Sequence, residues 1–159
     1  PGSPAGQDGE LQKGTARSYT VNADGTITDN STGLVWEKLV RGLDGYPSGD
    51  PHDVDNQYTW VNAFAKIAGL NTTPCFADHC DWRLPNVNEL QTLADYGRVS
   101  LAIDPVFNSA DSVTYPSYYW SSTSYQPSPD GAWSVNFIDG ALVPTGRPGP
   151  RFVRAVRGP

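Results

Sequence analysis

The chain has 159 residues, 38% of them hydrophobic and 11% aromatic, with 16 Gly, 14 Pro and a formal net charge of -6. That length suits one domain able to bury its own core, and the Gly and Pro content favours short elements joined by turns over long helices. No run of about 18 apolar residues is present, which excludes a membrane-spanning helix, and the acidic total argues against general nucleic-acid binding.

Residues 1–13 read as a tail. Gly6 and Gly9 are three apart in Pro4-Ala-Gly-Gln-Asp-Gly-Glu-Leu11, a spacing that fits the last triplets of a collagen-like stalk, where glycine is required because three chains crowd one axis. An ordinary Gly/Pro tail, with Pro1-Gly2-Ser3 as a cloning remnant, explains the same residues. Residues 14–159 then form the domain.

The first predicted element is a hairpin. Strand residues from Tyr19 reach Ala23-Asp24-Gly25, turn, and return through Thr26-Ile27-Thr28. Leu34-Val35-Trp36-Glu37-Lys38-Leu39 reads as a strand that buries Trp36. Asn22, Asp24, Thr28 and Asp29 of the hairpin resemble calcium-loop ligands but lack a terminal bidentate carboxylate, and residues 41–57 form a Gly/Pro/Asp-rich loop in which Asp50, Asp53 and Asp55, with His52, are a second clump of donors that would suit a divalent cation. Thr59 caps a helix through about Ala68, with Trp60, Ala63, Phe64 and Ile67 as its buried stripe and Gly69 as its end.

Cys75 and Cys80 are the only two cysteines. Their even count and short spacing predict one disulfide in an exported protein. A zinc site recruiting His79 or His52 to two thiolates lacks a convincing set of four ligands.

Asp81-Trp-Arg-Leu-Pro-Asn-Val-Asn-Glu-Leu-Gln-Thr-Leu93 runs from a strand end into the best-signalled helix of the chain. Pro85 stops strand pairing, and Asn86 with Glu89 three residues on forms a capping box. Val87, Leu90, Leu93 and Ala94 share a face, and Gly97 offers a left-handed stop. Beyond it Ile103–Phe107 reads as a short extended piece, and 118–125 and 132–138 as strands, with Asp139-Gly140 as a hairpin turn. Alternation in the final strand, Arg151–Arg157, puts Phe152, Arg154 and Val156 on one face. One of its arginines should therefore lie against the core, paired with a carboxylate such as Asp81 or Asp139, because an unpaired buried Arg would cost several kcal/mol.

All seventeen acidic residues lie at or before Asp139, whereas Arg147, Arg151, Arg154 and Arg157 follow it. The separation permits an acidic body with one basic face that attracts sulfate, phosphate or carboxylate groups. Arginines that pair with the acidic body give the competing reading. No nucleophile setting surrounds either histidine and no Gly-x-Ser-x-Gly elbow occurs, so the chain reads as a non-enzymatic domain.

Thr32-Gly-Leu-Val-Trp36, Tyr58-Thr-Trp60, Asp81-Trp-Arg-Leu-Pro-Asn-Val-Asn-Glu-Leu90, Tyr119-Trp-Ser-Ser-Thr123, Ala132-Trp-Ser-Val-Asn-Phe137 and Val153-Arg-Ala-Val-Arg-Gly158 together resemble the C-terminal domain family of the Legionella collagen-like adhesin. The resemblance runs from about Tyr19 to Gly158. It implies an α+β, C-type-lectin-like fold of loop-rich antiparallel strands with two short helices, preceded by collagen repeats. It further implies a secreted or bacterial cell-surface homotrimer that binds sulfated polysaccharides such as glycosaminoglycans and promotes attachment and aggregation. Three linked copies of a weak site raise avidity by about 10²–10⁴. Arginine forks suit sulfate, and exposed aromatic faces suit sugar rings. The ligand-binding candidates under that resemblance are Arg147, Arg151 and Arg157, with Tyr119, Tyr125 and Trp133 for stacking. No cofactor is required by this reading. The alternatives are a protein-binding lectin-like module and a calcium-dependent sugar-binding domain using the Asp50, Asp53, Asp55 loop.

Overall fold

A computed structural model describes residues 5–6, 16–42 and 48–159. Nearly all of the tail at residues 1–13, and with it the collagen-stalk reading, lies outside the described residues, as does part of the loop before Asp50.

Among the described residues seven strands form two antiparallel sheets. The first sheet comprises β1 (Tyr19–Val21), β2 (Thr26–Asp29), β3 (Val35–Glu37) and β7 (Val156–Arg157), in the order β1-β2-β3-β7; the second comprises β4 (Tyr118–Ser124), β5 (Gly131–Asn136) and β6 (Ala141–Gly146). Two short helices among the described residues, α1 (Trp60–Leu70) and α2 (Val87–Thr92), make the architecture mixed α+β. Among the described residues no helix is long and apolar enough to cross a membrane.

Local chemistry accounts for the element boundaries. In the β1–β2 turn the Asp24 carboxylate accepts from the Thr26 amide and hydroxyl, and Gly25 sits at φ +89, a conformation that side chains strain. The Thr59 hydroxyl accepts from the Asn62 amide to start α1, and Asn86 and Glu89 exchange the two bonds of a capping box to start α2. The buried face of α1 is Ala63, Lys66, Ile67 and Leu70. The expected stripe is thus corrected: Phe64 points outward at 40% exposure, because the helix turns a lysine inward to meet a carboxylate.

Two further boundaries differ from expectation. Helix α2 ends at Thr92 with Leu93 still right-handed, not at Gly97, since Ala94 is drawn into a bridge with Ile103. Pro105–Phe107 forms a 3₁₀ turn rather than an extended piece: Asp104 caps the Val106 amide, and proline suits the first helical position.

Residues 152–156 form the partition of the core. Phe152 and Val156 join one cluster with Ile27, Trp36, Leu90, Phe107, Tyr119 and Phe137, whereas Val153 and Ala155 join a second with Ala63, Ile67, Trp82, Leu84 and Trp120. Arg154 lies in the partition fully buried. Its expected carboxylate partner is corrected: the guanidinium donates to the Glu37 carbonyl (2.7 Å), the Val113 carbonyl (2.9 Å) and the Thr114 hydroxyl (2.8 Å), and it lies over the Phe107 ring. Three neutral acceptors thus take the place of a counter-ion at the two terminal nitrogens, and the buried Nε has no partner among the described residues. Asp81 instead binds Arg157, and Asp139 caps its own turn at the Ala141 amide.

Candidate functional site

The sequence leading into α1 crosses the segment after β6, and this crossing places two arginines against two aromatic rings. Tyr58 and Arg151 exchange backbone hydrogen bonds of 2.8 and 2.9 Å, and the Trp60 amide donates to the Arg147 carbonyl at 3.0 Å. The Arg147 guanidinium consequently lies 4.1 Å from the centroid of the Trp60 ring, with one nitrogen donating to the Ser124 hydroxyl at 2.7 Å. Arg151 lies 5.3 Å from the Tyr118 ring centroid and donates to the Pro150 carbonyl at 2.7 Å. The Trp60 indole N–H is in turn fixed on the Ser121 carbonyl at 2.9 Å.

Among the described residues neither arginine forms an ion pair, and both are half-buried. Each guanidinium is held over an aromatic ring with its Nε buried and without a partner among the described residues, and a planar guanidinium fork suits planar or tetrahedral oxyanions.

Beside this pair Tyr125 and Trp133 meet edge to face at 5.1 Å, both half-buried. Tyr125 borders a shallow cavity of about 270 Å³ with Ser128, Asp130, Pro144 and Thr145. The Asp130 carbonyl accepts from the Arg147 amide at 2.9 Å, which ties this cavity to the arginine pair.

Arg157 and Tyr119 fall elsewhere. Arg157 belongs to β7 of the other sheet, and its guanidinium binds Asp81 at 2.8 Å, whose hydrogen bond holds the Asp81 carboxyl below its ordinary pKa. Tyr119 is fully buried between Phe137 and Phe152, and its hydroxyl accepts from the Tyr115 amide. A ring packed on both sides offers no face to a sugar, so its stacking role is corrected. Trp60, Tyr118 and Ser124 instead are the side chains that contact Arg147 and Arg151. Helical spacing assigned Trp60 to the buried stripe, and it does pack against the second core cluster; its contact with Arg147 is what spacing did not show.

A sequence model of the Lcl C-terminal domain family matches residues 25–157. The chain belongs to that family. Among curated proteins none matches it. The motif resemblance and the family match therefore agree on an Lcl-type domain.

The Lcl-type domain carries the expected disulfide, Cys75–Cys80, across a loop whose Phe76 packs on Trp82 at 4.8 Å. Of the three candidate calcium ligands, Asp50 caps the His52 amide, Asp53 is buried and caps the Asp55 amide, and Asp55 accepts from the Tyr115 hydroxyl at 2.5 Å. Among the described residues no group of three or more His, Cys, Asp or Glu side chains is arranged to hold a metal ion.

Sequence reasoning missed a polar knot beneath the surface of the Lcl-type domain. Glu37 is fully buried and accepts from Lys66 (2.9 Å), from His52 Nδ1 (2.8 Å) and from the Ala155 amide (2.8 Å). Burial pushes its carboxyl up, but the Lys66 charge and the His52 hydrogen bond outweigh that and leave it below its ordinary pKa. Glu37 and Lys66 are 29 residues apart, and no periodicity links a strand residue to a helix residue at that separation.

Proposed function

We propose that this domain is a non-catalytic adhesin module, C-type-lectin-like in fold and displayed as a trimer on a secreted or cell-surface protein. It binds sulfated polysaccharides such as glycosaminoglycans and so promotes attachment and aggregation. The observation that carries this reading is the pair Arg147 and Arg151, stacked on Trp60 and Tyr118 with no carboxylate partner among the described residues. Desolvated, pre-positioned guanidinium groups lose little side-chain entropy on binding a sulfate, and each charge-assisted hydrogen bond contributes about 1.5–3 kcal/mol. Tyr125 and Trp133 supply apolar surface for the adjoining sugar. A net charge of -6 means that capture rests on this local geometry rather than on a long-range positive field. Trimeric display multiplies a modest site into useful avidity.

Calorimetric titration with heparin fragments across salt concentrations tests the reading. Replacing Arg147 and Arg151 together by Ala is expected to weaken binding by about tenfold or more and to flatten its salt dependence, whereas Arg157→Ala leaves both nearly unchanged. Equal binding by the native and double-variant proteins would overturn it.

A further inference from the structure

A second concavity, of about 670 Å³, opens between the β1–β2 turn, the residues following β3, the Asp50–His52 loop and the disulfide loop. Its chemistry differs from that of the arginine face. His52 and Phe76 form one wall, their rings 4.2 Å apart, and Asn22, Lys38, Asp50 and Asp111 bring polar groups to the rest.

The wall is fixed from behind. Glu37, ionised and fully buried, can only accept, so His52 Nδ1 carries the hydrogen in their 2.8 Å bond. The other ring nitrogen, Nε2, has no partner among the described residues and in the neutral imidazole is an acceptor. Phe76 is held by the Cys75–Cys80 bridge and by Trp82 behind it, and the β1–β2 turn approaches so closely that a Cβ on Gly25 would stand 3.2 Å from the Phe76 ring. Lys38 donates to the Asn22 carbonyl at 2.6 Å, which leaves it two further N–H groups. Asp50 uses one carboxylate oxygen on the His52 amide and keeps the other, and Asp111 is exposed at the rim.

We propose that this cavity is a binding site for an uncharged pyranose, separate from the arginine face and independent of what that face binds. Two carboxylates and an imidazole accept from sugar hydroxyls, Lys38 donates to a hydroxyl or ring oxygen, and the exposed Val21 and Val40 side chains offer apolar surface to the C–H face of the sugar. The two carboxylates outnumber the single ammonium, so a sulfated or carboxylated sugar is repelled here, which distinguishes this ligand class from that of Arg147 and Arg151. A single sugar fills only part of the space, and the remaining openness suits a chain end or an internal residue of a glycan.

The test is an amide-resolved NMR titration of the full chain with methyl α-mannopyranoside, methyl β-galactopyranoside and N-acetylglucosamine, each taken to about 50 mM because single-sugar sites bind in roughly the millimolar range. At least one of them is expected to shift the Gly25, His52 and Phe76 amides in a saturable manner that added salt does not weaken. Asp111→Ala and Val21→Ser, both at exposed positions lining the cavity, are each expected to reduce that affinity by about fivefold or more, one lost hydrogen bond or apolar contact apiece. Should Val21→Ser disturb the fold, Asp111→Ala decides alone. The proposal is overturned if none of the three sugars shifts those amides, if the shifts map to the Tyr125–Trp133 surface instead, or if Asp111→Ala binds as the native protein does.

Discussion

Lys66 Nζ stands 2.9 Å from Glu37 Oε2 with both side chains shut off from solvent, at 1% and 0% exposure. A buried ion pair of this kind adds little net stability over an apolar pair, yet removing one partner leaves an unpaired charge in a dry interior. Glu37→Gln is therefore expected to destabilise the fold by about 3–5 kcal/mol, and adding Lys66→Met in the same chain to recover much of that loss. Denaturant unfolding of the two single variants and the double variant measures it; a Glu37→Gln protein within about 1 kcal/mol of native would contradict the account.

The same carboxylate gives the fold an acid limb. Because the folded-state pKa of Glu37 is lowered from 4.5, the stability it contributes is present above that ordinary value and is lost as the pH falls through the lower folded one. Unfolding free energy followed from neutral pH downward should decline in this window for the native chain and decline less for Glu37→Gln. Parallel curves for the two proteins would remove Glu37 from the explanation.

At the alkaline end two phenols respond. Burial pushes Tyr119 up to about 12, and burial followed by the nearby Glu37 charge does the same for Tyr58. Their pKa values are raised, so the stability they contribute is complete below the ordinary 10.0 and is lost as the pH rises toward 12. Ultraviolet titration of tyrosinate should show a late-ionising fraction that disappears in denaturant. A single ionisation step near the ordinary value would exclude it.

Arg147→Lys separates charge from shape. Lysine keeps the positive charge but cannot stack flat on Trp60 while forking onto an oxyanion. Heparin affinity is expected to fall by about fivefold or more, the equivalent of one charge-assisted bond, with the melting temperature nearly unchanged. Retention of full affinity would mean that charge alone suffices.

Gly140 closes the β5–β6 hairpin at φ +80, and a Cβ there would stand 2.8 Å from Tyr96 Cε1 and 3.2 Å from Ala94 Cβ. Tyr96 is exposed and can swing away, but buried Ala94 cannot. Gly140→Ala is expected to destabilise the domain by about 1–3 kcal/mol, through backbone strain together with that contact. Thermal unfolding reads the loss, and an unchanged midpoint would show that the turn tolerates a side chain.

Several signals whose cause lies within a few residues were read correctly, namely the Thr59 cap, the Asn86–Glu89 capping box, both hairpins and the alternation of Phe152, Arg154 and Val156, whereas the equally local Asp104–Pro105 start of a 3₁₀ turn was missed. What sequence reading missed depends on contacts formed across the fold. Nothing near Arg154 announces that carbonyls from Glu37 and Val113 will accept from it, and nothing near Trp60 announces a guanidinium 87 positions later. The site divided in the same way. Arg147, Arg151, Tyr125 and Trp133 were named from composition and family resemblance, whereas the rings under the two arginines depend on the segment before α1 crossing the one after β6, and the burial of Tyr119 depends on its packing between Phe137 and Phe152.

Arg17 stands just before β1, and its guanidinium reaches the Thr92, Leu93 and Ala94 carbonyls at the end of α2. The strand it precedes is only three residues long and lies at the rim of its sheet. Tension arriving through the preceding chain would thus be met by one side-chain clasp and a short ladder before any of it reached the interior. Under mechanical load the doorway would yield first, while the arginine face and the core behind it stayed intact.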